Sequence, residues 1–99
     1  MTPFQGSKTV TVAGTPEPLV AVGAPKSFTS IEFQAIKSLT VPNTGDVYIR
    51  FGSGASATEG RKLAAGDTWS FTPSGRMLLS QIWVDAGTNG DGVFFTAIP

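Results

Sequence analysis

Asp85, Asn89 and Asp91 fall within one eight-residue stretch, Asp85-Ala86-Gly87-Thr88-Asn89-Gly90-Asp91-Gly92. Carboxylates and amides gathered this closely are the raw material of a calcium site, which collects about six to eight oxygens. Their spacing departs from the alternating acidic loop that wraps calcium, and no glutamate follows to close the shell. Asn-Gly and Asp-Gly are also what a tight hairpin demands, because they tolerate positive φ. The stretch is therefore read as a turn, and no metal is expected.

Other chemistry meets similar obstacles. The chain has no histidine and no cysteine. That removes the commonest general base, the commonest transition-metal ligand, and any thiolate nucleophile. Ser74, in Ser74-Gly75-Arg76, has no histidine to activate it. Gly52-Ser53-Gly54 lacks the Gly-Lys-Thr ending of a phosphate cradle and reads as part of a flexible surface loop, Gly52 to Gly60. Glu17, Glu32, Glu59 and Asp67 lie on or beside different turns, so no carboxylate pair can be placed across a cleft. Asp67 is expected to cap the Ala65-Gly66 turn. The reading is a protein without catalytic residues, cofactor or metal.

Charge narrows the class further. Seven basic and seven acidic residues cancel, and only 14% of the 99 residues are charged. A neutral chain lacks the footprint of a nucleic-acid or anionic-membrane binder. A small domain with so few charges implies that part of its surface is covered by a partner. The longest apolar stretch, Leu19 to Ala24, is far below the roughly 20 residues that span a membrane. The start of the chain has no apolar core of a signal peptide. Synthesis in a cytosol and a soluble product are expected.

The elements that would position these residues are strands. Twelve glycines, seven prolines, 12 threonines and nine serines are spread along the chain. They oppose long helices and favour short strands with turns. Lys8 to Ala13 alternates with Val10 and Val12 on one face. Thr15-Pro16-Glu17-Pro18 reads as a turn, and Leu19 to Val22 as a short strand. Ile31, Phe33 and Ala35 alternate until the parity shifts at Ile36, the sign of a bulge or of two abutting strands. Pro42-Asn43-Thr44-Gly45 is a turn. Val47, Ile49 and Phe51 share one face, and Tyr48 and Arg50 the other. Trp69 and Phe71 share a face, as do Ile82 and Val84. The prediction is an all-β fold. It is a single antiparallel β-sandwich, jelly-roll or immunoglobulin-like, of about seven to eight short strands over residues 8–99. Residues 1–7 are predicted to form a flexible N-terminal arm, with Phe4 as an anchor that drapes over a neighbour.

Strand parity also isolates a second face. Tyr48 and Arg50 oppose the core face of their strand, and Trp83 opposes Ile82 and Val84. Phe94 and Phe95 point to opposite faces, so one of them is outward. Aromatic residues and arginine are enriched where proteins meet. Phe4, Tyr48, Arg50, Trp83 and Phe94 are the candidate interface residues, with self-association through Tyr48 and Trp83 or Phe94. The same rings could stack on sugars, which keeps a carbohydrate-binding module as the competitor from another class.

Four motifs then fall in order: Asn43-Thr44-Gly45-Asp46-Val47-Tyr48-Ile49, Leu63-Ala64-Ala65-Gly66-Asp67, Ile82-Trp83-Val84-Asp85-Ala86 and Asp91-Gly92-Val93. Across roughly residues 28–98 the chain resembles a group of small virion proteins of tailed bacteriophages. Trp83 stands where that group would have tyrosine, and Arg50 where a small residue often follows the strand. The resemblance implies a compact β-sandwich that decorates or cements an icosahedral capsid, with a head–tail or tail component as the alternative. It implies a capsid-surface location, the major capsid protein as partner, and a homo-oligomer, trimer or dimer. No catalytic residues carry over.

Overall fold

A computed structural model describes residues 4–20, 26–38, 40–51 and 60–99. The strands are β1 (Phe4–Thr9), β2 (Glu17–Pro18), β3 (Ser27–Phe28), β4 (Ser30–Gln34), β5 (Ile36–Ser38), β6 (Val41–Pro42), β7 (Val47–Phe51) and β8 (Arg61–Leu63). They continue with β9 (Thr68–Phe71), β10 (Met77–Leu78), β11 (Ile82–Ala86) and β12 (Gly92–Ile98), with one 3-10 turn at Leu79–Gln81. Two four-stranded antiparallel sheets form the body, in the orders β1-β12-β4-β9 and β2-β11-β7-β8. Short ladders β3·β10 and β5·β6 lie outside them.

These orders follow one rule. β1 pairs β12, β2 pairs β11, β4 pairs β9 and β7 pairs β8. The chain behaves as one long hairpin of four strand pairs, wrapped so that alternate pairs fall in opposite sheets. That is the jelly-roll arrangement, and it resolves the choice between jelly-roll and immunoglobulin-like order.

Alternation builds the core. Ile31 and Phe33 of β4 and Val93, Phe95 and Ala97 of β12 face inward from one sheet. Val47 and Ile49 of β7 and Ile82, Val84 and Ala86 of β11 face inward from the other. All are buried and belong to one cluster. The parity shift at Ile36 is a real break: β4 ends at Gln34, Ala35 is buried, and β5 starts on a new ladder with a register shift.

Three local expectations are corrected. The first strand runs Phe4–Thr9 rather than Lys8 to Ala13, so Phe4 to Ser7 are paired to β12 and not an arm. Beyond Thr9 the chain bends: Val10 is buried, Val12 is exposed, and the Thr15 N–H closes a turn on the Val12 carbonyl at 3.0 Å. The ladder to β12, whose hydrogen bonds pair one side of the Phe4 to Thr9 backbone, outweighs the local Val10/Val12 pattern. Glu17-Pro18, read as a turn, forms β2 instead. β2 is the outer strand of its sheet, where a proline's missing N–H is not required. Leu19 and Val20 lie outside any strand, with Leu19 buried and its N–H bonded to the Ile82 carbonyl at 2.8 Å. Residues 1–3 and 21–25 lie outside the described residues, the latter taking in the last two positions of the expected Leu19 to Val22 strand, as do residues 52–59 of the 52–60 loop.

Candidate functional site

The connections β1–β2, β4–β7, β8–β9 and β11–β12 meet at one end of the sandwich, and the acidic stretch sits there. Asp91 is completely buried. Its carboxylate accepts the Thr44 N–H at 3.0 Å and the Gly45 N–H at 2.7 Å, and Lys37 Nζ lies 3.4 Å away. Asp85 Oδ1 accepts the Gly14 N–H at 3.0 Å and the Ala86 N–H at 2.8 Å. Asn89 Oδ1 accepts the Ala13 N–H at 2.7 Å. The three side chains accept five backbone N–H groups: Asp85 and Asn89 share the Ala13-Gly14 turn, and Asp91 serves Thr44-Gly45. Among the described residues no group of three or more ligating side chains could hold a metal ion. What the arrangement does chemically is satisfy exposed and partly buried loop N–H groups and so fix the loops.

Asn43 works the same way. Its Nδ2 donates to the Gly92 carbonyl at 2.8 Å, and its Oδ1 accepts the Gly92 N–H at 3.1 Å. The buried amide thus satisfies both backbone groups of the first residue of β12. Gly92 itself has no room for a side chain, because a Cβ there would meet the Lys8 carbonyl and Thr9 Cα.

Asp67 and Glu17 are also structural. Asp67 Oδ2 accepts the Ala64 N–H at 3.1 Å across the turn that Gly66 makes at φ +86. Glu17 accepts the Thr11 N–H at 2.8 Å and pairs with Lys8 at 2.9 Å. The Thr11 hydrogen bond, then Lys8, hold the Glu17 carboxyl below its ordinary value of 4.5. Near Ser74, Arg76 donates to Ser27 Oγ at 3.2 Å. Gly52-Ser53-Gly54 and Glu59 lie outside the described residues.

The interface candidates separate into two groups. On the β11 sheet, Trp83 lies opposite Arg50 on one side and Pro18 on the other. In the next outward-facing row, Tyr48 lies between Asp85 and Lys62. Directly opposed residues have Cβ atoms about 5 Å apart and successive rows on one face lie about 7 Å apart along the strands, so the two rows adjoin. Asp85 itself is buried and accepts the Gly14 N–H. Trp83, Arg50, Tyr48 and Pro18 are each half-buried and Lys62 is exposed. Phe94 is not part of it. It lies on the outer face of the β12 sheet, between Ser7 and Gln34, while Phe95 takes the core side. The reason is distance through the sandwich: β11 and β12 are consecutive but belong to opposite sheets. Phe4 lies at the start of β1, opposite Ala97, and its side chain is outside the described set.

A second aromatic cluster escaped sequence reasoning as a unit. Phe51 and Phe71 rings approach to 4.3 Å, and Trp69 stacks on Phe33 at 5.7 Å. The Arg61 guanidinium lies 5.1 Å from the Trp69 ring centre, in cation–π range. The Trp69/Phe71 alternation was legible, but its meeting with Phe51 and Arg61 depends on sheet stacking.

No family model, curated protein or solved structure matches this chain. Among the described residues no helix is long and apolar enough to cross a membrane.

Proposed function

We propose that this chain is a structural protein of a tailed-bacteriophage virion that decorates or cements the icosahedral capsid by protein–protein contact. The observation that carries the reading is the outward patch of Pro18, Trp83 and Arg50 beside Tyr48 and Lys62 on a jelly-roll sheet. Tryptophan, tyrosine and arginine are the residue types that dominate binding energy at protein interfaces. The motif resemblance supplies the virion context, and the jelly-roll is an architecture that viral capsid proteins use.

The mechanism needs no chemistry. The polar side chains at the loop end serve the fold. The patch meets the major capsid protein, and a shell offers the same site many times over. Individually small contacts then add through avidity. A low-charge, hydroxyl-rich surface limits repulsion between crowded copies.

Co-sedimentation with capsids lacking the protein tests this. Wild type pellets with the capsids, and Trp83→Ala loses most of that binding while keeping its circular dichroism spectrum. Absence of wild-type binding overturns the capsid reading. A glycan array that lights up selectively, with the signal lost in Trp83→Ala, assigns the patch to sugar stacking instead. Particle cryo-microscopy placing the protein at the portal or tail moves it to the head–tail alternative.

A further inference from the structure

We propose that strand β9 is a dimerisation edge, at which a second copy of this chain adds its own β9 antiparallel across a two-fold axis. The inference rests on sheet-edge geometry and stands apart from the capsid reading.

Among the described residues the two sheets have four edge strands: β1, β9, β2 and β8. Free edges invite pairing with other chains, and proteins blunt them with charges, prolines, very short strands or inward-pointing ions. Three of the four edges are blunted. β2 has two residues and includes Pro18, with Pro16 just before it. β8 has three residues, including Arg61 and Lys62. β1 carries Lys8 at an inward register position opposite Val93, tied to Glu17 at 2.9 Å. β9 reads Thr68-Trp69-Ser70-Phe71, with no charge and no proline. The acid just before it, Asp67, already accepts the Ala64 N–H.

The hydrogen-bond phase of β9 is also defined. The Ala35 N–H donates to the Asp67 carbonyl at 2.9 Å, and the ladder continues through Phe33/Trp69 and Ile31/Phe71. In an antiparallel pair such bonded positions alternate, so Trp69 and Phe71 spend their backbone groups on β4. Thr68 and Ser70 turn theirs away from the sheet, and both residues are exposed. Among the described residues no strand pairs with this side of β9.

The occupant follows from self-complementarity. A two-fold axis at Ser70 sets Ser70 against its own copy and Thr68 against Thr72, with no like charges opposed within the new ladder. Three narrow pairs exchange about six hydrogen bonds. The two four-stranded sheets then continue as one of eight strands. Half-buried Trp69 and Phe71 lie on the inner face at the same edge, beside Phe51, where a second copy adds cover.

Light scattering and analytical ultracentrifugation of the purified chain test the proposal in solution, without capsids. Wild type reaches twice its 10.3 kDa chain mass as concentration rises. Ser70→Lys places two cations opposite each other and weakens the dimer by at least about tenfold. Its circular dichroism stays that of wild type, because the Ser70 backbone does not bond β4. The chain has no cysteine, so Ser70→Cys gives a clean cross-link. A narrow pair separates Cα atoms by about 5.5 Å, inside disulfide range. Mild oxidation yields a covalent dimer for Ser70→Cys and none for Gln5→Cys on the β1 edge. A wild type that stays monomeric at every concentration overturns the proposal. So does a dimer that Ser70→Lys leaves intact and Ser70→Cys fails to cross-link.

Discussion

The loop end around Asp91 and the outer face around Trp83 use opposite kinds of residue for opposite ends. At the loop end the side chains capable of chemistry are buried and consumed: Asp91, Asp85 and Asn43 each bond backbone groups. On the outer face, aromatic rings and an arginine are half-buried in rows between strands. Buried polar groups must be satisfied, so the first region stabilises the fold. Half-buried rings leave contact area, so the second region is the one to which the proposal assigns binding. The lesson is that residue type alone misdirects: Glu17, Asp67, Asp85 and Asp91 are structural, and the surface rings are the functional candidates.

Substitutions should split along the same line, stability at the loop end and binding on the face. The largest expected effect is Gly92→Ala. Its Cβ would collide with backbone of Lys8 and Thr9, which cannot yield without breaking β1 from β12. Little folded protein is expected, as read by circular dichroism and soluble yield. Asp91→Ala comes next. It strands the Thr44 and Gly45 N–H groups and costs about 3 kcal/mol. For a domain of this size that lowers the melting temperature by about 12–24 °C. Asp91→Asn keeps the shape and an acceptor and should lose less. A melt unchanged in Asp91→Ala would erase the distinction between the regions.

Trp83→Ala probes the other side of the comparison. Its stability cost should be about 1 kcal/mol, since the ring is only half-buried. Its capsid attachment should fall about 30-fold, the scale of a binding hot spot. A large loss of melting temperature instead would make Trp83 part of the fold. The smallest effect belongs to Glu17, whose carboxyl is lowered by Thr11 and Lys8. Its contribution is present above 4.5 and is lost as pH falls from there through the folded value. Glu17→Gln should therefore cost about 0.5–1 kcal/mol at neutral pH and flatten the acid limb of the melting curve.

Much of this was legible residue by residue. Val47 and Ile49 buried with Tyr48 and Arg50 opposite, the break at Ile36, and the turns at Asn43-Thr44-Gly45 and Gly66 all follow from local rules. So does the carboxylate of Asp67 at its own turn. A strand's period of two and the φ demands of a turn are properties of a few neighbouring residues, and they need no distant partner.

Tertiary structure decided the rest. Only pairing brought Trp83 beside Arg50 and put Phe94 on the opposite sheet. Only pairing made a strand of Glu17-Pro18, extended β1 back to Phe4, and buried Asp91 against Thr44 and Lys37. Each of these joins segments dozens of residues apart in a hairpin that closes first strand on last. Such contacts are selected by the free energy of the whole wrapped sandwich, against the entropy of closing long loops, and that balance is not written in any local stretch of residues.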